Sequence, residues 1–63
     1  MIYLVRIRDV LTGMERWLVD SKGRRFESYD RRIADCMALG AGRFSPTEFA
    51  YVVEIDPIHE IPI

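Results

Sequence analysis

Asparagine and glutamine are absent from this 63-residue chain, and cysteine, histidine, tryptophan and lysine occur once each. A single thiol (Cys36) closes no disulfide, and one thiol with one imidazole (His59) falls short of a tetrahedral metal site. There is no Cys-x-x-Cys, no His-x-x-x-His, no glycine-rich phosphate loop following a strand, and no second histidine to activate a nucleophile. These gaps lead us to expect no enzyme, no cofactor and no bound metal. No apolar run approaches the roughly 18 residues that a membrane span needs. The lone cysteine, with no signal-peptide pattern at the start, gives the expectation of a reducing, cytoplasmic setting.

A chain this short buries only roughly 60% of the surface that its unfolded form exposes, so it is read as one compact domain, 1–63, with a thin stability margin. Without staples it must rely on aromatic packing or a partner. Seven aromatics are spread along the chain, and the 30% of charged residues argue against disorder. Net charge is −1, but the halves differ: residues 1–32 hold eight basic and five acidic side chains, residues 33–63 one and five. Solvated faces account for this as well as a functional patch does. Eight arginines against one lysine fit either a GC-rich coding genome or a use for arginine's planar fork at interfaces.

Met1 to Val10 alternates with period two, Tyr3, Val5 and Ile7 against Leu4, Arg6 and Arg8, which predicts a half-buried strand. Leu11-Thr12-Gly13 supplies a turn into a second strand over Glu15–Asp20, placing Trp17 and Val19 on the core face with Tyr3, Val5 and Ile7. Asp20–Gly23 reads as a type I turn, and Arg24–Glu27 as a short third strand or an extended lead-in. A helix follows over Ser28–Gly40, capped by Ser28, with Asp30 in its first turn and Gly40 as the residue after its end. Its apolar stripe is Tyr29, Ile33, Cys36, Met37 and Gly40, so Cys36 is expected to be a small buried hydrophobe. Ser45-Pro-Thr-Glu48 has the residues of a capping box without a periodic helix behind it. Phe49–Ile55 is the last strand, with Phe49, Tyr51, Val53 and Ile55 facing the core, and Asp56-Pro57 ends it. The tail Ile58–Ile63 reads as an edge strand or a cover for the core. The expected fold class is α+β: a small antiparallel sheet of three or four strands in ββ(β)αβ order, with one helix packed on one face.

The candidate partner-binding residues are charged. Arg6, Arg8 and Arg16 form a basic strip on the open sheet face, Arg24 and Arg25 extend the basic half, and Glu54 and Asp56 mark the acidic half. Leu4, Leu18 and Val52 make that open face semi-apolar, which favours a protein partner. RNA-binding sheets combine basic side chains with exposed aromatics. Here the aromatics are expected on the inner face, so nucleic acid ranks below protein. Gly40-Ala-Gly42 follows a helix instead of opening one and reads as a helix stop, not a phosphate loop. His59 reads as an ordinary surface or edge histidine.

A hairpin opening at the initiator methionine (Ile2–Val10, Glu15–Asp20), a short helix (Ser28–Gly40) and a Tyr-Val-Val-x-Ile strand (Phe49–Ile55) together resemble very small phage-encoded proteins, among them the anti-CRISPR inhibitors. The resemblance lies in the order of elements and carries over no functional residue. It implies a stoichiometric inhibitor without chemistry of its own, bound to a subunit of a CRISPR-Cas surveillance complex or another host assembly in the cytoplasm of a bacterium. A nucleic-acid-binding or regulatory module and a structural subunit of a larger assembly are the other classes, and a homodimer stays open.

Overall fold

In the computed structural model, residues 1–43 and 45–56 are described. Strand β1 (Ile2–Asp9), strand β2 (Glu15–Trp17), helix α1 (Arg31–Gly42) and strand β3 (Glu48–Ile55) follow one another along the chain. The sheet is antiparallel in the order β2-β1-β3, with α1 packed against it, the α+β class that the sequence predicts. The tail Ile58–Ile63 and His59 lie outside the described residues.

The hairpin turn decides which side chains meet. The Asp9 N–H donates to the Met14 carbonyl at 2.9 Å and the Gly13 N–H returns to the Asp9 carbonyl at 2.8 Å. The Asp9 carboxylate holds the turn from within, accepting from Leu11 N–H at 2.9 Å, and Gly13 takes φ +75°, a conformation that glycine adopts without Cβ strain. An even number of residues lies between Asp9 and Met14, so odd positions of β1 pair with even positions of β2: Arg6 with Trp17, Ile7 with Arg16, Arg8 with Glu15. The β1–β3 ladder has the same parity, pairing Leu4 with Val53, Val5 with Val52, Arg6 with Tyr51, Ile7 with Ala50 and Arg8 with Phe49.

Directly opposed residues share a face. Val5, Ile7, Arg16, Ala50 and Val52 therefore lie on one side, and Leu4, Arg6, Arg8, Trp17, Phe49, Tyr51 and Val53 on the other. Three expectations are corrected here. Leu18 and Val52, expected on the open face, lie on the helix side with Val5 and Ile7. Trp17 is on the face opposite Val5 and Ile7, and the Phe49, Tyr51, Val53, Ile55 series is on that same opposite face. Alternation reveals which residues of a strand stand together; the register between strands decides which sets meet.

Past Trp17 the chain leaves regular pairing, although Leu18 N–H still donates to the Val5 carbonyl at 2.9 Å and Phe26 N–H to that of Leu18 at 2.8 Å. The expected third strand over Arg24–Glu27 is reduced to isolated bridges, Val19 with Arg25 and Tyr3 with Ser28. Ser45–Glu48 forms a turn, with Glu48 N–H donating to the Ser45 carbonyl at 3.4 Å, and β3 begins at once.

The helix begins later than expected and runs past Gly40. Ser28 Oγ closes a local turn with Asp30, accepting from its N–H at 3.0 Å, and the cap is Asp30, whose carboxylate accepts from Arg32 N–H at 2.9 Å. The larger correction is the phase. Ala34 and Ala38 are the buried helical residues, whereas Tyr29 is 81%, Ile33 52% and Met37 40% exposed, and Cys36 is exposed as well. The inward stripe is offset by one residue, about 100° of helical turn, from the stripe of bulky side chains. Val5 and Ile7 already fill the sheet's inner face, so alanines let the helix backbone settle close to it. At the end of α1 a Cβ added to Gly42 would stand 3.8 Å from the Ala50 backbone nitrogen.

Two substitutions separate the phases. Ile33→Ala should cost under about 1 kcal/mol in urea denaturation, since the side chain is half exposed, while Ala34→Leu should cost about 1–3 kcal/mol by overpacking. The reverse ranking would return Ile33 to the core.

Candidate binding face

The sheet surface away from α1 gathers aromatic rings and arginines. Trp17 is its centre: the Arg6 guanidinium lies 4.7 Å and that of Arg25 5.6 Å from the indole ring centroid. Such contacts contribute about 0.5–1 kcal/mol each at exposed sites and hold planar groups in place. Across β1 from Arg6 and Arg8 stand Tyr51 and Phe49, their ring centroids 5.9 Å apart and tilted by 32°. Phe49 is 44% and Tyr51 38% exposed, whereas Leu4, on the same face toward the start of β1, is fully buried. The face thus opens toward the Arg8 and Phe49 end.

Its charges are largely matched. Glu15 forms an ion pair with Arg6 and approaches Arg8 at 3.9 Å, and Glu27 meets Arg25 at 3.0 Å. Three arginines stand against two glutamates, which leaves a small positive excess on an aromatic surface.

The seven charged residues expected to bind partners are divided by the fold. Arg6, Arg8 and Arg25 come together around Trp17. Arg16 lies on the opposite face, beside Ile7, where it donates to Glu48 at 3.0 Å. Arg24 stays at the Asp20 turn, 3.6 Å from the Asp20 carboxylate. Glu54 pairs with Arg31 at 3.2 Å on the helix side, and Asp56 follows the end of β3. The three aromatics, Trp17, Phe49 and Tyr51, are the functional candidates that alternation alone misassigns. The even loop between Asp9 and Met14 would have found Trp17, whereas Phe49 and Tyr51 take their face from the β1–β3 register, which no short loop sets.

Among the described residues no polar or charged side chain is buried, and no three His, Cys, Asp or Glu side chains converge as metal ligands. None of the described helices is long and apolar enough to cross a membrane. No family model, curated protein or solved structure matches the chain.

One titration reports on the turn that presents Arg24 and Arg25. The Asp20 carboxylate accepts from the backbone N–H of Arg24 at 3.0 Å and of Lys22 at 2.8 Å, with the Arg24 guanidinium nearby, and these hold its pKa below the ordinary 3.8. A lowered folded-state value means the stabilisation is present above the unfolded pKa and is lost as pH falls through the folded one. A carboxyl-detected NMR titration should place the Asp20 midpoint below 3.8. A midpoint at or above that value would mean that the turn's hydrogen bonds do not form in solution.

Proposed function

We propose that this chain is a non-enzymatic binding module that engages a protein surface through its open sheet face. It would act by occupancy, as a phage- or mobile-element-encoded inhibitor of a bacterial host complex does, with a CRISPR-Cas surveillance complex the first target to try. The observation that carries the reading is the grouping of Trp17, Tyr51, Phe49, Arg6, Arg8 and Arg25 on one exposed face. Tryptophan, tyrosine and arginine dominate the energetics of protein interfaces because they bury large area with few rotatable bonds while keeping a hydrogen-bonding end. Arginines already held against an indole and their glutamates lose less freedom on docking.

A second reading follows from the same face. Aromatics beside arginines on an open sheet are also how single-stranded nucleic acids are stacked and neutralised. The glutamate partners and the net charge of −1 favour protein over a polyanion.

Affinity for a purified surveillance complex should fall at least tenfold, about 1.4 kcal/mol, for Trp17→Ala and for Tyr51→Ala, with the folded state checked by circular dichroism. Unchanged affinity in both variants would remove the open face from recognition. In parallel, fluorescence anisotropy with labelled single-stranded oligonucleotides should show weak binding that fades between about 50 and 200 mM salt. Association tighter than about 1 μM at the higher salt would put the nucleic-acid reading first.

A further inference from the structure

The three arginines of the open face differ in what already holds them. Arg6 has one oxygen of the Glu15 carboxylate at its Nε and lies over the Trp17 ring. Arg25 meets Glu27 at 3.0 Å and lies over the same ring. Arg8 stands between Glu15 on β2 and Phe49 on β3, and reaches only the other oxygen of the carboxylate that Arg6 occupies, at 3.9 Å. That separation is beyond hydrogen-bonding distance. The side chain of Arg8 is also the most open of the three, 51% exposed against 33% for Arg6 and 38% for Arg25.

The surroundings of Arg8 on the β3 side are apolar. Phe49 is directly opposite, the Tyr51 ring lies 5.9 Å from that of Phe49, and Val10 is exposed just past the end of β1. A surface laid over this face takes all three guanidiniums out of water together. Arg6 and Arg25 keep carboxylates of their own, whereas Arg8 enters the interface with its donors unmet, and a charge buried in that state opposes binding. The acceptor has to come from the other side.

We propose that Arg8 is the specificity residue of the open face and receives one carboxylate of the partner, an aspartate or glutamate set among apolar or aromatic side chains that cover Phe49 and Tyr51. The inference rests on the reading of this face as a protein-binding surface and names what that surface selects. Parallel N–H donors of a guanidinium match the two oxygens of a carboxylate. Glu15 limits the charge that can enter. One negative charge completes a cluster of two arginines and two carboxylates, but a nucleic-acid strand brings further phosphates past Glu15 and Glu27, where no unmatched arginine of the face is left to meet them.

The probe is 2-naphthoate at millimolar concentration, an aromatic carboxylate small enough to report on this one site. It is compared with the uncharged 2-naphthamide and with the phosphodiester methyl 2-naphthyl phosphate. In NMR titrations of the whole chain, naphthoate should bind at least about fivefold more tightly than either, with the largest shifts on the Arg8 Nε–H and on the Phe49 and Tyr51 ring protons. Arg8→Gln should bring naphthoate and naphthamide within about twofold of each other, while Arg16→Gln, on the opposite face, leaves the preference intact. The comparison in the unaltered chain stands whether or not Arg8→Gln folds. A smaller preference over either control there, shifts centred elsewhere, or a preference above about twofold that survives Arg8→Gln overturns the proposal. Phosphodiester binding as tight as that of naphthoate overturns it by giving Arg8 to phosphate. The open-face reading is judged separately by Trp17→Ala and Tyr51→Ala against the surveillance complex. If those variants lose affinity and the naphthoate preference is missing, the carboxylate assignment alone falls; if they bind unchanged, the open face leaves recognition whatever naphthoate does.

Discussion

The closing pair of the first hairpin, Asp9 with Met14, is the constraint on which the rest of this structure depends. It is one backbone hydrogen bond, worth about 0.5–1.5 kcal/mol by itself. Its position sets the parity of β2 against β1, and that parity brings Trp17 beside Arg6 instead of Ile7. The indole then gathers Arg6 and Arg25, and Glu15, opposite Arg8, reaches both strand arginines. Had the loop been one residue longer or shorter, Arg16 would have stood on the open face and Trp17 would have been driven against the helix.

Much of the fold was legible because it rests on local periodicity. The alternation of Ile2–Asp9 and of Glu48–Ile55, the glycine at the hairpin turn and one helix between strands led to an α+β sheet of the right element order. What alternation does not contain is the relation between strands. Alternation sorts the two faces within each strand, but it does not tell that Trp17 and the Phe49 series stand on the face away from Val5 and Ile7. The helix misled for a different reason. Its strongest apolar signal, Ile33 and Met37, is turned out, while the packed residues are alanines, whose small hydropathy hardly registers in a pattern. Small side chains permit close approach, so here the packing stripe is the quieter one.

The candidate face suffered from the same parity error. Alternation and charge group Arg16 with Arg6 and Arg8 on the open face, although Ile7 and Glu48 hold Arg16 on the other side. With the aromatics on the open face, these arginines stand beside rings and are held by glutamates. Charge asymmetry between the halves of the chain also loses much of its weight. Ion pairs such as Arg31 with Glu54 and Arg16 with Glu48 cross between the two halves and join them in the folded state.

The chain's one thiol gives this arrangement a practical side. Cys36 is exposed on α1, in the layer opposite the aromatic face. A maleimide would therefore meet a single attachment point in the native protein, and coupling through it to a sensor surface would hold every molecule in the same pose. The helix would point toward the support, and Trp17, Phe49 and Tyr51 toward the solution.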